Sequence, residues 1–139
     1  MPGHYPVQWK VSDGGNGHWY GLVLNPTDTW DHSRAIARSM GADLATVTSQ
    51  GEQSFAAGIL GGYQALGGEA AFAIGGFAPV GQGWNAGWSW VDGSAWSYTN
   101  WGPSFPNNDG AARRFAWLRG DGFWDDYRDS DTVWPGLKG

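Results

Sequence analysis

The side chains able to do chemistry gather in two short stretches. The first is Asn100-Trp101-Gly102-Pro103-Ser104-Phe105-Pro106-Asn107-Asn108-Asp109-Gly110, and the second is Gly122-Phe123-Trp124-Asp125-Asp126. Amide and carboxylate oxygens are strung along a Pro- and Gly-rich loop, with aromatic anchors before them and a carboxylate pair after. That combination pins a polar loop to an apolar core, which is the chemistry of recognition. Catalysis is a poor fit. Asp125 and Asp126 are consecutive on a predicted strand and must point to opposite faces, so they cannot flank a glycosidic bond as an acid/base pair. His4, His18 and His32 have no metal-ligand spacing, no cysteine nucleophile exists, and no G-x-S-x-G or phosphate-binding glycine motif is present. Arg119-Gly120-Asp121 spells an adhesion tripeptide, but Asp121-Gly122 is sufficiently explained as turn chemistry.

These residues need elements to hold them. Trp19-Tyr20-Gly21-Leu22-Val23-Leu24 reads as a first strand, ended by Asn25-Pro26. A helix follows, with Thr29 at its N-cap, Trp30, Ile36, Ala37 and Met40 on one apolar face, and Gly41 closing it in a left-handed conformation. Ser49-Gln50-Gly51-Glu52 has capping-box spacing and starts a second helix, with Phe55, Ala56, Ile59 and Leu60 at helical period and Gly61-Gly62 as its stop. Beyond residue 70 the period becomes strand-like, with short strands predicted at 71–77, 88–91, 96–99, 115–118 and 123–126. Asp92-Gly93 and Asp121-Gly122 are hairpin signals between them. The segment Thr132-Val133-Trp134-Pro135-Gly136-Leu137-Lys138-Gly139 contains a proline that cannot donate to a ladder, which predicts an edge strand or a bound tail. Two helices before a strand-and-loop half make an α+β domain, and residues 1–139 contain no repeat or linker.

Composition narrows the partners. A chain of 139 residues makes one domain that buries roughly two-thirds of its unfolded surface. The net charge of −5, with no run of Lys or Arg, excludes nucleic acid. No apolar run approaches the roughly 20 residues of a membrane span, and no charged segment followed by an apolar stretch opens the chain, so neither membrane insertion nor a signal peptide is expected. Twenty-four glycines beside 11 tryptophans mean loops tied down by aromatic plugs, since disordered chains are poor in aromatics. Of the tryptophans, Trp88, Trp90, Trp101 and Trp124 are assigned to the core, and Trp84, Trp96, Trp117 and Trp134 are left unassigned.

The whole pattern resembles the C-type lectin-like domain. Its loop signature N-W-x-P-G-E-P-N-N is matched by Asn100-Trp101-Gly102-Pro103-Ser104-Phe105-Pro106-Asn107-Asn108, and its W-N-D tripeptide by Trp124-Asp125-Asp126. Upstream, Gly17-His18-Trp19-Tyr20, Gly41-Ala42-Asp43-Leu44-Ala45-Thr46-Val47-Thr48-Ser49 and Ala73-Ile74-Gly75-Gly76 continue the match, so that it covers nearly the whole chain. The resemblance implies two helices packed on short antiparallel β-sheets with a long loop region, and a cis bond before Pro106. Extracellular members usually carry two disulfides; with no cysteine here, packing must replace them. Related bacterial and phage domains belong to exported or variable proteins, which implies an extracellular or cell-surface location.

The resemblance also raises one cofactor, calcium, which takes six to eight hard oxygen ligands. Carried over residue by residue, Asn107, Asp125 and Asp126 are the metal ligands that remain. Phe105 stands where the first glutamate belongs, and Arg113 where the second would lie; neither binds a cation. With both glutamates gone, the pattern points away from the standard calcium-and-sugar site. The alternative role for Asp125 and Asp126 is to cap the loop through backbone N–H groups, and for Asn107 to form an Asx-turn.

The implied function is that of a non-catalytic binding module with a glycan or protein ligand. Carbohydrate binding would run through Asn107, Asn108, Asp109, Asp125 and Asp126, with calcium weak or dispensable. The alternative is calcium-independent protein recognition through Phe105, Arg113 and Arg114, residue types that dominate interface hot spots.

Overall fold

The computed structural model describes residues 6–22, 29–65, 72–79, 86–107, 114–119, 121–128 and 134–138. Strand β1 (Val7–Gln8) leads through a short 3-10 turn into β2 (Trp19–Leu22), followed by α1 (Trp30–Ser39), β3 (Asp43–Leu44) and α2 (Gln50–Ala65). The second half carries β4 (Phe72–Ala78), β5 (Ser89–Trp90), β6 (Arg114–Leu118), β7 (Trp124–Arg128) and β8 (Trp134–Lys138).

Local signals place both helices. Thr29 caps α1, its hydroxyl accepting the His32 N–H at 3.3 Å, and Gly41 takes φ 79° just past its end. Ser49 caps α2 by accepting the Glu52 N–H at 3.1 Å. The Glu52 carboxylate, however, reaches the Thr48 N–H at 2.8 Å instead of closing a box on Ser49. Gly61-Gly62 does not stop α2, which runs on to Ala65. Two glycines in a helix cost only about 2 kcal/mol against alanine, less than a packed helix gains from burial.

The strands form one sheet in the order β1-β2-β8-β4-β6-β7, with β3 added to β8 and β5 to β4. All neighbours are antiparallel except β4 and β8, which run parallel. The terminal segment is therefore a central strand, not an edge or a tail. Pro135 is tolerated because it lies at a handover: Trp134 and Pro135 pair with β4 on one side, and the ladder to β2 on the other begins only at Gly136. Residues 96–99, predicted as a strand, have no ladder partner, and Asp92-Gly93 closes a local turn in which the Ser94 N–H donates to the Asp92 carboxylate at 2.9 Å.

β4 is buried on both faces and separates two apolar clusters. Phe72, Ile74 and Ala78 face Trp88, Trp90, Leu118 and Trp124, whereas Ala73 and Phe77 face Trp30, Leu44, Phe115 and Tyr127. Gly75 is obligatory here, since a Cβ would stand 2.7 Å from Val91 Cγ2 and 3.0 Å from the Leu44 carbonyl oxygen. Of the indoles assigned to the core, Trp88, Trp90 and Trp124 are buried in it and Trp101 packs partly buried against it; Trp96 does the same, tilted 4.5 Å from Trp90 and stacked 5.6 Å from Trp88. Trp117 packs partly buried on the second cluster; Trp84 lies outside the described residues, as do the segments 23–28, 80–85 and 129–133.

On the β2–β8 side of the sheet the second helix is clamped by charge. Glu52 is 2 % exposed and its carboxylate receives the Lys138 ammonium at 2.5 Å, the Tyr20 hydroxyl, and the Thr48 N–H and hydroxyl at 2.8 and 3.2 Å. Lys138 also donates to the Thr46 hydroxyl at 3.0 Å, and that hydroxyl donates to Asp92 at 3.1 Å. Among the described residues no helix is long and apolar enough to cross a membrane.

Candidate functional site

The loop between β5 and β6 is positioned by the first residues of β7. Trp124 is fully buried and its backbone N–H donates to the Asn100 carbonyl at 2.8 Å, while its carbonyl accepts the Gly102 N–H at 2.9 Å. The Trp124 indole N–H donates to the Gln53 side chain at 2.7 Å; Gln53 in turn donates to the Gly122 carbonyl at 2.5 Å, where Asn100 also donates at 2.9 Å. Helix α2 thus holds the loop base through Gln53, a residue that no sequence pattern singled out, because its partner lies 71 positions away.

Past this base the chain turns sharply. The Phe105 N–H donates to the Gly102 carbonyl at 3.0 Å, Ser104 takes φ 69°, and the Phe105-Pro106 bond is cis, as the loop signature implied. The next N–H, that of Asn107, donates to the Asp126 carboxylate at 2.9 Å. Asp126 is 4 % exposed, and so it performs the loop-capping role that was one of its two readings. The Asn107 side chain stays exposed.

Asp125 and Asp126 diverge as strand geometry requires. Asp126 pairs across to Ala116 and turns inward; Asp125 pairs across to Trp117 and keeps partial access to water. One Asp125 oxygen accepts the Asp126 N–H at 2.7 Å. Burial pushes the Asp125 carboxyl above its ordinary value, outweighing the pull of the Trp117 indole N–H and of the Asp126 N–H; the Asp126 charge adds to the rise and Arg119 opposes it.

The described donor set does not fit a calcium ion. Phe105 offers no oxygen, Asp126 is buried on a backbone N–H, and among the described residues no group of three or more His, Cys, Asp or Glu side chains stands close enough to hold a metal. Asn108, Asp109 and Arg113 lie outside the described residues. Arg114, counted in the sequence as part of a protein-binding surface with Phe105, is corrected by the structure: it is fully buried, with its guanidinium 5.2 Å from the Trp88 ring and donating to the Ala86 carbonyl at 3.2 Å. As the first residue of β6 it points into the core, where an aromatic face and a carbonyl replace its water.

Phe105 is half-buried beside two residues that sequence reasoning did not place in the site. The Arg119 guanidinium lies 5.4 Å over the Phe105 ring, and Phe123 is one of the few large apolar side chains among the described residues left open to solvent. Asp121 completes the group, paired with Arg119 at 2.6 Å. Arg119 and Asp121 flank Gly120 of the adhesion-like tripeptide, so their charges close on each other across the β6–β7 turn. The available signal was the placement of Phe123 directly before Trp124, an apolar residue at a turn that had no core role to fill.

The family model described as "Lectin C-type domain" matches residues 26–133. Among solved structures, human lithostathine is similar with a TM-score of 0.75 and 22 % identity, covering 99 % of this chain and 97 % of that one. The C-type lectin CEL-I from Cucumaria echinata gives 0.72 and 23 %, covering 88 % and 90 %. A calcium-independent type II antifreeze protein gives 0.72 and 23 %, covering 98 % and 96 %. No curated protein sequence matches significantly.

Proposed function

Because the chain belongs to the C-type lectin domain family, we propose that it is a non-catalytic module that binds carbohydrate through its long-loop face without requiring calcium. The observation that carries this reading is the fastening of the loop to β7: the Asn107 N–H on the Asp126 carboxylate and the Trp124 exchange with Asn100 and Gly102 hold the described part of the loop, through Asn107, against β7 with the Asn107 side chain outward. In calcium-binding relatives the metal organises this region; here a carboxylate and backbone hydrogen bonds do so, which leaves Asn107 and Asp125 available to a polyol. That a calcium-independent protein shares the fold is consistent with this use of the scaffold. Family membership favours an extracellular or cell-surface setting.

The protein-recognition reading is weaker, since Arg114 is withdrawn into the core and contributes no contact. The test is retention on a glycan array, in calcium and in chelator, of the wild type and of Asn107→Ala. This variant removes an exposed amide but keeps the backbone N–H that holds the loop. Equal retention in both buffers, reduced in the variant, supports the reading. A chain that no glycan retains under either condition rules it out.

A further inference from the structure

We infer that the saccharide docks on the patch formed by Phe105, Arg119, Asp121 and Phe123, and that this patch selects neutral sugars with an apolar ring face and adjacent hydroxyls. The inference rests on the glycan-binding reading and moves the centre of the site from the Asn107 amide to the β6–β7 turn.

Gly102 makes the arrangement possible. A Cβ there would stand 3.2 Å from Arg119 Nη1, 3.2 Å from Phe105 Cδ2 and 3.4 Å from Phe123 Cβ. The guanidinium and two aromatic side chains therefore converge around Gly102, where an added methyl would have to push them apart by a few tenths of an ångström. The turn fixes the polar pair. The Arg119 N–H donates to the Phe123 carbonyl at 2.9 Å, the Gly122 N–H to the Arg119 carbonyl at 3.0 Å, and one Asp121 oxygen accepts the Phe123 N–H at 3.1 Å. The other Asp121 oxygen faces Arg119.

The pair is one-third and nearly one-half exposed, 33 % and 46 %, and so contributes little to stability and yields readily to a ligand. A guanidinium donates only and a carboxylate accepts only, whereas each sugar hydroxyl does both. Two adjacent hydroxyls can thus span Arg119 and Asp121, one accepting and one donating, in the role that a calcium ion would otherwise fill. Phe123, 41 % exposed beside them, offers a flat apolar surface to the C–H face of the ring. The balance of charge favours a neutral sugar: among the described residues one cation, Arg119, stands with Asp121 and Asp125 on a chain of net charge −5.

The experiment is the glycan array in chelator, with neutral hexose polymers, polyuronates and sulfated glycans, for the wild type, Phe123→Ala and Arg119→Gln, each checked by thermal melting. Retention on neutral glycans, reduced about tenfold or more in both variants at unchanged melting temperature, is the expected result. Neutral-glycan retention that survives both variants overturns the patch and leaves the glycan reading standing. So does retention that falls only on polyuronates or sulfated glycans, whereas retention seen in a parallel array with calcium and lost in chelator overturns the calcium-independent reading as well. A chain retained nowhere overturns both. Because melting could shift through the lost Phe105 contact, Arg119→Lys provides a second reading: it keeps the charge and an aliphatic stem beside Phe105 but loses the planar fork, and retention equal to wild type would also overturn the assignment.

Discussion

Glu52 and Asp125 are both carboxylates drawn out of water, and they settle on opposite sides of their ordinary values. Burial alone would raise both. At Glu52 the hydrogen bonds from Lys138, Tyr20 and the Thr48 N–H outweigh it and hold the carboxyl below the usual range. At Asp125 the pull of the Trp117 indole N–H, of the Asp126 backbone N–H and of a more distant Arg119 does not suffice against burial, and the carboxyl stays raised. A carboxylate surrounded by donors belongs to the fold. One with fewer donors and no ammonium partner, still partly open to water, retains capacity for a ligand. The clamp at Lys138 and the loop face around β7 thus show how one chemical group fastens a strand to a helix in one place and stays open to water in another.

The sharpest way to break the contrast is Glu52→Ala. It leaves the Lys138 ammonium, 15 % exposed, without its counter-charge, and should destabilise the domain by about 3–5 kcal/mol in denaturant unfolding. The double variant Glu52→Leu with Lys138→Met removes both charges, and should recover most of that loss. A single variant that unfolds like the wild type would mean the ion pair does not hold β8.

Acid should separate the two regions next. The folded Glu52 carboxyl is lowered, so its contribution is present above the unfolded value and disappears as pH falls through the folded one; Asp92, also lowered, acts in the same sense. Asp125 has the opposite sign. Its folded form binds a proton at higher pH than the unfolded chain, so its contribution improves as pH falls. Melting between pH 7 and pH 3 should decline, with the decline concentrated below about pH 4.5. Glu52→Gln should flatten that limb, and a limb of unchanged steepness would assign it elsewhere.

Asp125→Asn should have a smaller effect. Removing a raised, partly buried charge should stabilise the domain at neutral pH, by at most about 0.5 kcal/mol. Destabilisation would show that Asp125 is a structural cap like Asp126. The smallest expected effect is none: the thermal midpoint in millimolar calcium and in chelator, at matched ionic strength, should coincide. A rise with calcium would mean that replacement ligands have been recruited around Asp125.

Much of the scaffold was legible in the chain because it is encoded locally. The Thr29 cap, Gly41, the Ser49 cap, and the turns at Asp92-Gly93 and Asp121-Gly122 all lie where their residue types place them, and the tryptophans of the loop signature are where their spacing put them. Each of these depends on a few consecutive residues and the dihedral or hydrogen bond they favour. The candidate site was legible only in part. Phe105 and Asn107 were found from the loop pattern, but Arg119 and Phe123 were not, because nothing in one sequence says which turn residue will face which loop.

The division follows the range of the forces. Composition, caps, turns and the loop pattern were enough for the α+β class, the family and a binding role. Three matters depended on packing between distant segments: that a strand containing Pro135 lies in the middle of the sheet, that Lys138 meets Glu52 across 86 positions, and that Arg114 is buried while Arg119 is not. A proline restricts its own backbone, but whether its missing N–H matters depends on which neighbour lies alongside. A charge has no preferred depth until the donors and rings around it are assembled.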